Sequence, residues 1–451
     1  MLIRFKTYNG KPYTFDPITR QIGPECSNKN NPATWQGGKI FTKMRVPEKE
    51  AIGKALQSRR MLQLNITEEC SNRCLYCVFS GHYNHERKHS SRHMDIEIAK
   101  TAICDFLDNA TVSETPHLSF YGGEALMPDA VELVRECVGF ARKRAGDKGI
   151  TFGLTTNGRH FTESTIRFLV ENNFMLMVSL DGPKQIHNRY RRSSEGNGTF
   201  DEVIAGLESI EKFSQEYYTR IGFICVLTPP LDISAVRDFF NADRHVRGHN
   251  MLFSFVNLFD HSLPIKFDET EFAAESARMY REAISRYYEC ALDGTMDDCG
   301  FERALLNKNL GLLRMSQQES GTGIIGPNGC CVPGARRCFV NTDGQLYACE
   351  KVAGFKPIGN VQSNICPEKV NEMLTDFREL SSADCCACWC GNICDLCFYS
   401  ARKDAAFFGE RKAVACQERR SFFKALIRLY ASLHESGGED LLKRVIPSVI
   451  G

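Results

Sequence analysis

The chain has 451 residues, 43% apolar and 25% charged, the composition of an ordinary soluble globular protein large enough for two or three domains. Its 56 basic against 55 acidic residues leave a net charge of +1, which gives no electrostatic footing for nucleic acid or an anionic membrane. The start lacks the apolar core of a signal peptide and no run is long enough to span a bilayer, so a cytoplasmic location is expected, where 21 cysteines point to metal binding rather than disulfides.

Residues 1–60 read as a small N-terminal element. Leu2 to Phe15 alternates like a hairpin, 26–38 is rich in Asn, Gly and Pro, and Glu48 to Gln57 suits a helix. Short apolar runs then alternate with helix-length stretches. Strands are expected at Met61 to Ile66, Pro116 to Tyr121, Ile150 to Thr156, Phe174 to Leu180, Ile221 to Leu227 and Met251 to Asn257. Helices are expected at Asp95 to Asp108, Pro128 to Ala145 and Phe200 to Phe213, the last behind a capping box from Thr199 to Glu202. This alternation implies parallel strands with right-handed crossovers. The fold class is therefore α/β, with residues 61–265 as a partial (β/α)6 TIM-like barrel whose chemistry sits after the strand C-termini. Residues 266–329 suit bridging helices, and 330–451 a cysteine-rich domain.

Cys70, Cys74 and Cys77 follow the first strand. Three thiolates from one short loop can hold three irons of a 4Fe-4S cube and leave the fourth open to a cofactor. Gly122-Gly123-Glu124 ends the second strand; the glycines let a ligand approach the backbone and Glu124 can accept from an ammonium group, or the run is a tight turn with a solvated glutamate. Asn157 closes the third strand, and Ser179 opens a run to Arg191 after the fourth, where a capping or turn role competes. His82, His85, His89 and His93 suggest metal ligands by spacing, but they lie among Glu86, Arg87, Lys88 and Arg92 and read rather as a polar active-site loop.

Twelve cysteines fall after residue 329, six of them between Cys385 and Cys397, and such crowding reads as metal binding. Cys26, Cys104, Cys137, Cys225, Cys290 and Cys299 are scattered and read as small buried hydrophobes. Asp343-Gly344 is a hairpin signal. A two-residue turn there would set Cys338 opposite Cys349, with Cβ atoms roughly 4.5 to 5.5 Å apart. Arg419 to Tyr430 reads as an amphipathic packing helix.

Cys70-x3-Cys74-x2-Cys77, with Tyr76 at the aromatic position, together with Ser119-Phe-Tyr-Gly-Gly-Glu124, Thr155-Thr-Asn157-Gly and Ser179-Leu-Asp-Gly-Pro183, resembles the radical S-adenosylmethionine (SAM) enzymes over about residues 61 to 265. The resemblance implies a SAM-binding 4Fe-4S cluster on Cys70, Cys74 and Cys77. Tyr76, Gly122, Gly123, Glu124, Asn157, Ser179 and Arg191 are the implied SAM-site residues, with Arg192 as alternative to Arg191. The late cysteines resemble a SPASM domain, with a departure where only Asp395-Leu396 separate Cys394 from Cys397. That resemblance implies an outer cluster on Cys385, Cys388, Cys394 and Cys416 and an inner one on Cys331, Cys349 and Cys397, three clusters in all. Either Cys338 completes the inner cluster or its fourth position is open to a substrate thiolate. Cys386 and Cys390 are extra, and Cys330 and Cys366 read as free thiols. Glu350 occupies the place of a base in sulfatase-maturing relatives, against a plain reading as a solvated glutamate.

The implied reaction is reductive cleavage of SAM to a 5'-deoxyadenosyl radical that abstracts hydrogen from a peptide carbon. The expected outcome is an intrapeptide cysteine thioether of the sactipeptide or ranthipeptide type. The partners would be a cysteine-rich precursor peptide, its leader docked on the N-terminal element, and an electron donor such as flavodoxin or ferredoxin. The alternatives are sulfatase maturation to formylglycine, epimerisation or carbon-carbon crosslinking, and a non-enzymatic zinc module.

Overall fold

The computed structural model describes residues 2–25, 39–83, 87–111, 114–257, 262–317, 323–326, 331–403 and 406–447. Cys26, His85, Glu86 and Cys330, and the 26–38 stretch, lie outside them. Among the described residues no helix is long and apolar enough to cross a membrane.

Three short strands, β1 (Ile3–Lys6), β2 (Pro12–Phe15) and β3 (Ile22–Pro24), make an antiparallel sheet with β2 central, one strand more than the expected hairpin. After β4 (Lys43–Met44) and α1 (Lys49–Leu56) comes the core of the fold. β5 (Met61–Thr67), β6 (His117–Gly122), β7 (Thr151–Thr156), β8 (Met175–Ser179), β9 (Gly222–Leu227) and β10 (Asn250–Phe255) lie side by side in chain order, every neighbouring pair parallel. Between them run α2 (Ile96–Asp108), α3 (Pro128–Ala145), α4 (Glu163–Glu171), α5 (Lys184–Tyr190), α6 (Phe200–Phe213), α7 (Gln215–Tyr218) and α8 (Ile233–Ala242). The six strands and three helices fall where the periodicity sets them, within a residue or two. The capping box does not form. Thr199 Oγ1 is spent on the Arg191 carbonyl (3.3 Å) and His187 Nε2 (3.0 Å), and Asn188 Oδ1 accepts from Phe200 N instead.

Strand alternation separates the two faces of the sheet. Leu62, Leu64 and Ile66 are buried in one core with Ala99 and Ile103 of α2 and Val134 of α3. Phe120 and Phe152 pack around Phe174 there, each contributing about 1.5–3 kcal/mol by burial. Gln63, Asn65 and Thr67 point to the opposite face.

The chain continues through α9 (Glu269–Asp293) and α10 (Gly300–Ser316), then β11 (Ile324–Ile325), which pairs with β4. Next, β12 (Arg337–Val340) adds to the barrel sheet parallel to β5, followed by antiparallel β13 (Gln345–Tyr347), β14 (Gly359–Asn360) and β15 (Asn364–Ile365), giving ten strands. Two long helices close the chain, α11 (Pro367–Cys386) and α12 (Gly409–Val445), the latter broken at Gly438 (φ 61°). Phe422, Phe423, Leu426 and Ile427 of α12 share a core with Phe15 and with α9 and α10, so the N-terminal sheet packs on the C-terminal helix. Tyr8 N donates to Ser432 Oγ at 3.0 Å across that contact.

Of the scattered cysteines, Cys137 and Cys225 are buried as expected and Cys104 is half-buried. Cys290 and Cys299 are buried as expected, but the turn between α9 and α10 also joins them in a disulfide, which the reading of the cysteines as free thiols did not foresee.

Candidate active site

The loop carrying Cys70, Cys74 and Cys77 leaves β5 at the C-terminal edge of the sheet and is laced to the segment after α5. Arg73 N donates to the Arg192 carbonyl (2.8 Å), Leu75 N to Tyr190 (3.1 Å) and Ser194 N to Ser71 (2.9 Å). Sulfur acceptors are already addressed by donors. Cys70 Sγ takes Asn72 N at 3.3 Å and Asn157 Nδ2 at 3.7 Å, and Cys77 Sγ takes Phe79 N at 3.4 Å. Burial is the largest influence on these thiols, pushing Cys70 up to about 12 and Cys77 to about 11. Thiolates in such a desolvated loop need a cation to hold them charged, the situation that iron supplies.

Among the described residues, no three His, Cys, Asp or Glu side chains converge on one point as a lone metal ion requires.

Gly122 and Gly123 act differently from the expectation. A Cβ on Gly123 would lie 2.0 Å from the Glu69 carbonyl oxygen, and one on Gly122 would lie 2.3 Å from that of Thr67. The close approach is therefore by the chain's own segment leading into Cys70. For Glu124 the solvated reading is the one corrected. Glu124 is buried rather than solvated, and its carboxylate accepts from Leu126 N (2.9 Å), Thr156 Oγ1 (2.8 Å) and Asn157 N (2.5 Å). It braces the end of β6 to the end of β7, and Asn157, so fixed, reaches Cys70 and Ser71.

Tyr76 is buried, its hydroxyl donating to Asp181 and accepting from Arg191 Nη1 at 2.9 Å. Arg191 Nη1 lies 4.0 Å from Asp181 Oδ1, and burial pushes the Asp181 carboxyl up while the guanidinium opposes it. Arg191 Nε is buried without a hydrogen-bond partner among the described residues. Ser179 is half-buried at the end of β8, and Arg192 turns to the Arg189 carbonyl instead. Orphaned atoms also lie on β5, at Gln63 Oε1 and both side-chain polar atoms of Asn65. Unsatisfied buried polar groups near the cysteine loop suit a polar cofactor such as SAM. His89 stacks on Phe79 and His93 pairs with Glu69 at 3.4 Å, so they serve the loop as expected.

The C-terminal cysteines form two groups. Cys385, Cys388, Cys394 and Cys416 lie within each other's electrostatic reach. Cys331, Cys349 and Cys397 do likewise.

Cys338 does not join them, a correction to the expected facing pair. The hairpin loop has three residues, with Gly344 at φ 80°, so Phe339 pairs with Tyr347 and Cys349 comes level with Arg337. Cys338 pairs with Leu62 and shares its helix-side face, buried near Arg59 and Asp105. Cys338→Ala is expected to retain full iron content, with stability lowered by about 1 kcal/mol in denaturant unfolding; loss of iron would restore it as a ligand. Cys390 lies 3.4 Å from Cys388, Cys386 is buried, and Cys366 is a half-buried free thiol.

Glu350 follows Cys349 and is mostly buried rather than solvated. Both carboxylate oxygens accept from Arg337 Nη1, at 2.9 and 2.8 Å. Sequence reasoning missed the residues between the two ends of the site. Arg87 stacks between Phe79 (4.3 Å) and Phe339 (5.1 Å), its Nη2 donates to the Glu350 carbonyl at 3.4 Å, and it lies within the field of Cys77. Tyr121 sits edge-on to Phe339 and within the fields of Glu350, Arg87 and Cys77, its phenol pushed up to about 12 by burial. Tyr121, directly before Gly122-Gly123 on the same strand face as Ser119, was legible by alternation; Arg87 was legible only as one member of the polar loop.

Residues 64–240 match the model of the Radical SAM superfamily. The chain is 24% identical over 382 residues to the cysteine-type anaerobic sulfatase-maturating enzyme of Clostridium novyi, covering 82% of this chain and 95% of that one. It is 26% identical over 300 residues to the cysteine-type enzyme of Clostridium perfringens, covering 65% and 75%. Among solved structures, native anSMEcpe with bound AdoMet superposes with a TM-score of 0.62 at 22% identity, covering 82% of this chain and 99% of that chain. The same protein with AdoMet and Cp18Cys peptide gives 0.61 at 23%, with the same coverage. The fold is shared, and the chain is an enzyme.

Proposed function

We propose that this enzyme, with the Radical SAM match over residues 64–240, oxidises a cysteine or serine side chain of a peptide or protein substrate to formylglycine. What carries the reading is the similarity across 95% of a cysteine-type sulfatase-maturating enzyme, in a chain that sets Glu350 between two groups of cysteines. Cys70, Cys74 and Cys77 would hold the SAM-binding cluster, with Tyr76, Gly122, Gly123, Glu124, Asn157, Ser179 and Arg191 shaping the SAM site. Cys331, Cys349 and Cys397 would hold an inner auxiliary cluster, and Cys385, Cys388, Cys394 and Cys416 an outer one. When bound, the first cluster and SAM supply the radical that removes a hydrogen atom from the substrate carbon.

The chain's own residues do the rest. Completing the oxidation releases a proton and an electron, the electron being one that an auxiliary cluster would accept, and with a cysteine substrate water then replaces the sulfur, which leaves as sulfide. Glu350, whose Oε2 pairs with Arg337 Nη1 at 2.8 Å, would take the proton. Tyr121 packs edge-on against Phe339, and Arg87 lies over Phe79 and Phe339, which orders the side chains near Cys77 and Glu350. Cytoplasmic location, an external flavodoxin or ferredoxin donor and a leader docked on the edge of the β1–β3 sheet belong to this proposal too.

Incubation with a Cys-x-Pro-x-Arg peptide tests the reading: loss of sulfur with an aldehyde trapped by hydrazide supports it, and an unmodified peptide beside rapid SAM cleavage sinks it. Glu350→Gln is expected to keep SAM cleavage while peptide oxidation falls about 10²- to 10⁴-fold. Parallel loss of both would remove Glu350 from the substrate step.

One observation favours a second reading, thioether formation on a cysteine-rich precursor. Cys338 faces away, so the described residues give the inner group three thiols, and a substrate thiolate could complete it. Its signature is a coexpressed peptide with two hydrogens lost per alkylation-resistant cysteine.

A further inference from the structure

The outer group of Cys385, Cys388, Cys394 and Cys416 sits against the first turns of α12. Cys416 is on that helix, and Lys412 lies one turn before it, on the same face. The Lys412 side chain is only 4% exposed, and its Nζ is buried without a hydrogen-bond partner among the described residues. Its ion-pair contact is Asp384 at 3.6 Å, whose side chain is 73% exposed and so weakened by solvent. The other groups acting on the ammonium are the sulfurs of Cys385 and Cys416. Arg420, a further turn along, reaches Cys388 from the exposed surface.

A buried ammonium beside the neutral thiols of Cys385 and Cys416 has only the exposed Asp384 carboxylate to offset it. Facing four thiolates around an iron-sulfur core it is a counter-ion. We propose that Lys412 is the internal counter-charge of the outer cysteine group and raises the reduction potential of the cluster held there. This rests on the cluster reading of that group, not on the identity of the substrate. Reduction adds one negative charge to the cluster, and a cation in a low-dielectric setting favours that state, whereas exposed Arg420 is screened. Lys412 thus acts through the cluster on the ease of taking up an electron. It is a positioning residue and touches no substrate.

The test uses the full chain, purified anaerobically and loaded with iron and sulfide, read by iron content and redox titration followed by electron paramagnetic resonance. Lys412→Met is expected to shift one cluster's reduction equilibrium at least tenfold toward the oxidised form, about 59 mV for one electron, while Lys412→Arg stays near the parent. Lys412→Gln guards against a packing defect in the Met variant. If both uncharged variants lose iron while the Arg variant keeps it, the counter-charge role appears as affinity and the proposal stands. Unchanged potentials and iron content in both uncharged variants overturn it. Iron content unaffected by Cys385→Ser and Cys416→Ser would overturn the cluster reading itself and the proposal with it, a distinct failure.

Discussion

Gly123→Ala is expected to give a protein that neither loads iron at Cys70, Cys74 and Cys77 nor folds with normal stability. The added methyl would meet the Glu69 carbonyl oxygen at 2.0 Å, with the Glu69 carbonyl carbon at 2.5 Å and that of Glu68 at 2.9 Å. All three are backbone atoms, so no side chain can swing away. The two segments are also stitched by Gly123 N to the Thr67 carbonyl (2.7 Å) and Glu124 N to the Glu69 carbonyl (2.8 Å). Relief therefore requires pulling the base of the cysteine loop off the end of β6. The destabilisation should reach about 3–5 kcal/mol, the range of severe single substitutions. Gly139→Ala provides the control: it lies within α3 with open space around it and should be neutral or stabilising by about 0.5–1 kcal/mol. Denaturant unfolding of the apo chains reads the stability and iron analysis the site. Parent-like values for Gly123→Ala would show that the Thr67–Glu69 segment yields more easily than its hydrogen bonds suggest.

The barrel was legible because its signals are local and periodic. Alternating apolar residues on β5 to β10, and proline at the first turn of α3, state a structure that packing then honours. Cys70, Cys74 and Cys77 were legible for the same reason, since they lie on one short loop, whereas Cys331, Cys349 and Cys397 come from three separate segments. What failed depended on one-residue choices that many sequences share. Asp343-Gly344 suits a two-residue or a three-residue loop, and the extra residue turns Cys338 from the Cys349 side to the helix side. Thr199 suits a capping box until His187 and the Arg191 carbonyl compete for its hydroxyl. Glu124 could be a solvated turn residue by sequence until strand pairing sets Thr156 and Asn157 against it. Arg87 was legible only as one member of a polar loop, because its stacking place depends on Phe339, more than two hundred residues away.

Cys70→Ala, Cys74→Ala or Cys77→Ala is expected to abolish SAM cleavage while leaving the C-terminal groups loaded. Under the three-cluster proposal, iron falls from about twelve to about eight atoms per chain. The argument is one of independent placement. The loop is held by hydrogen bonds to residues 190–194 and by the Gly122-Gly123 contact, none of which involves Cys331, Cys349, Cys397 or the outer group. Losing one thiol leaves two, and two cannot retain a cube that already has one iron without a protein ligand. The fold should survive, since Cys70 and Cys77 are half-buried and replacing a thiol by a methyl group removes little apolar area. Iron analysis and the remaining paramagnetic signals read the result. If a single substitution empties all three groups, loading is cooperative across the sheet, with the β5–β12 pairing joining the two ends of the site. If iron stays at the parent value, Cys70, Cys74 and Cys77 are not a cluster site.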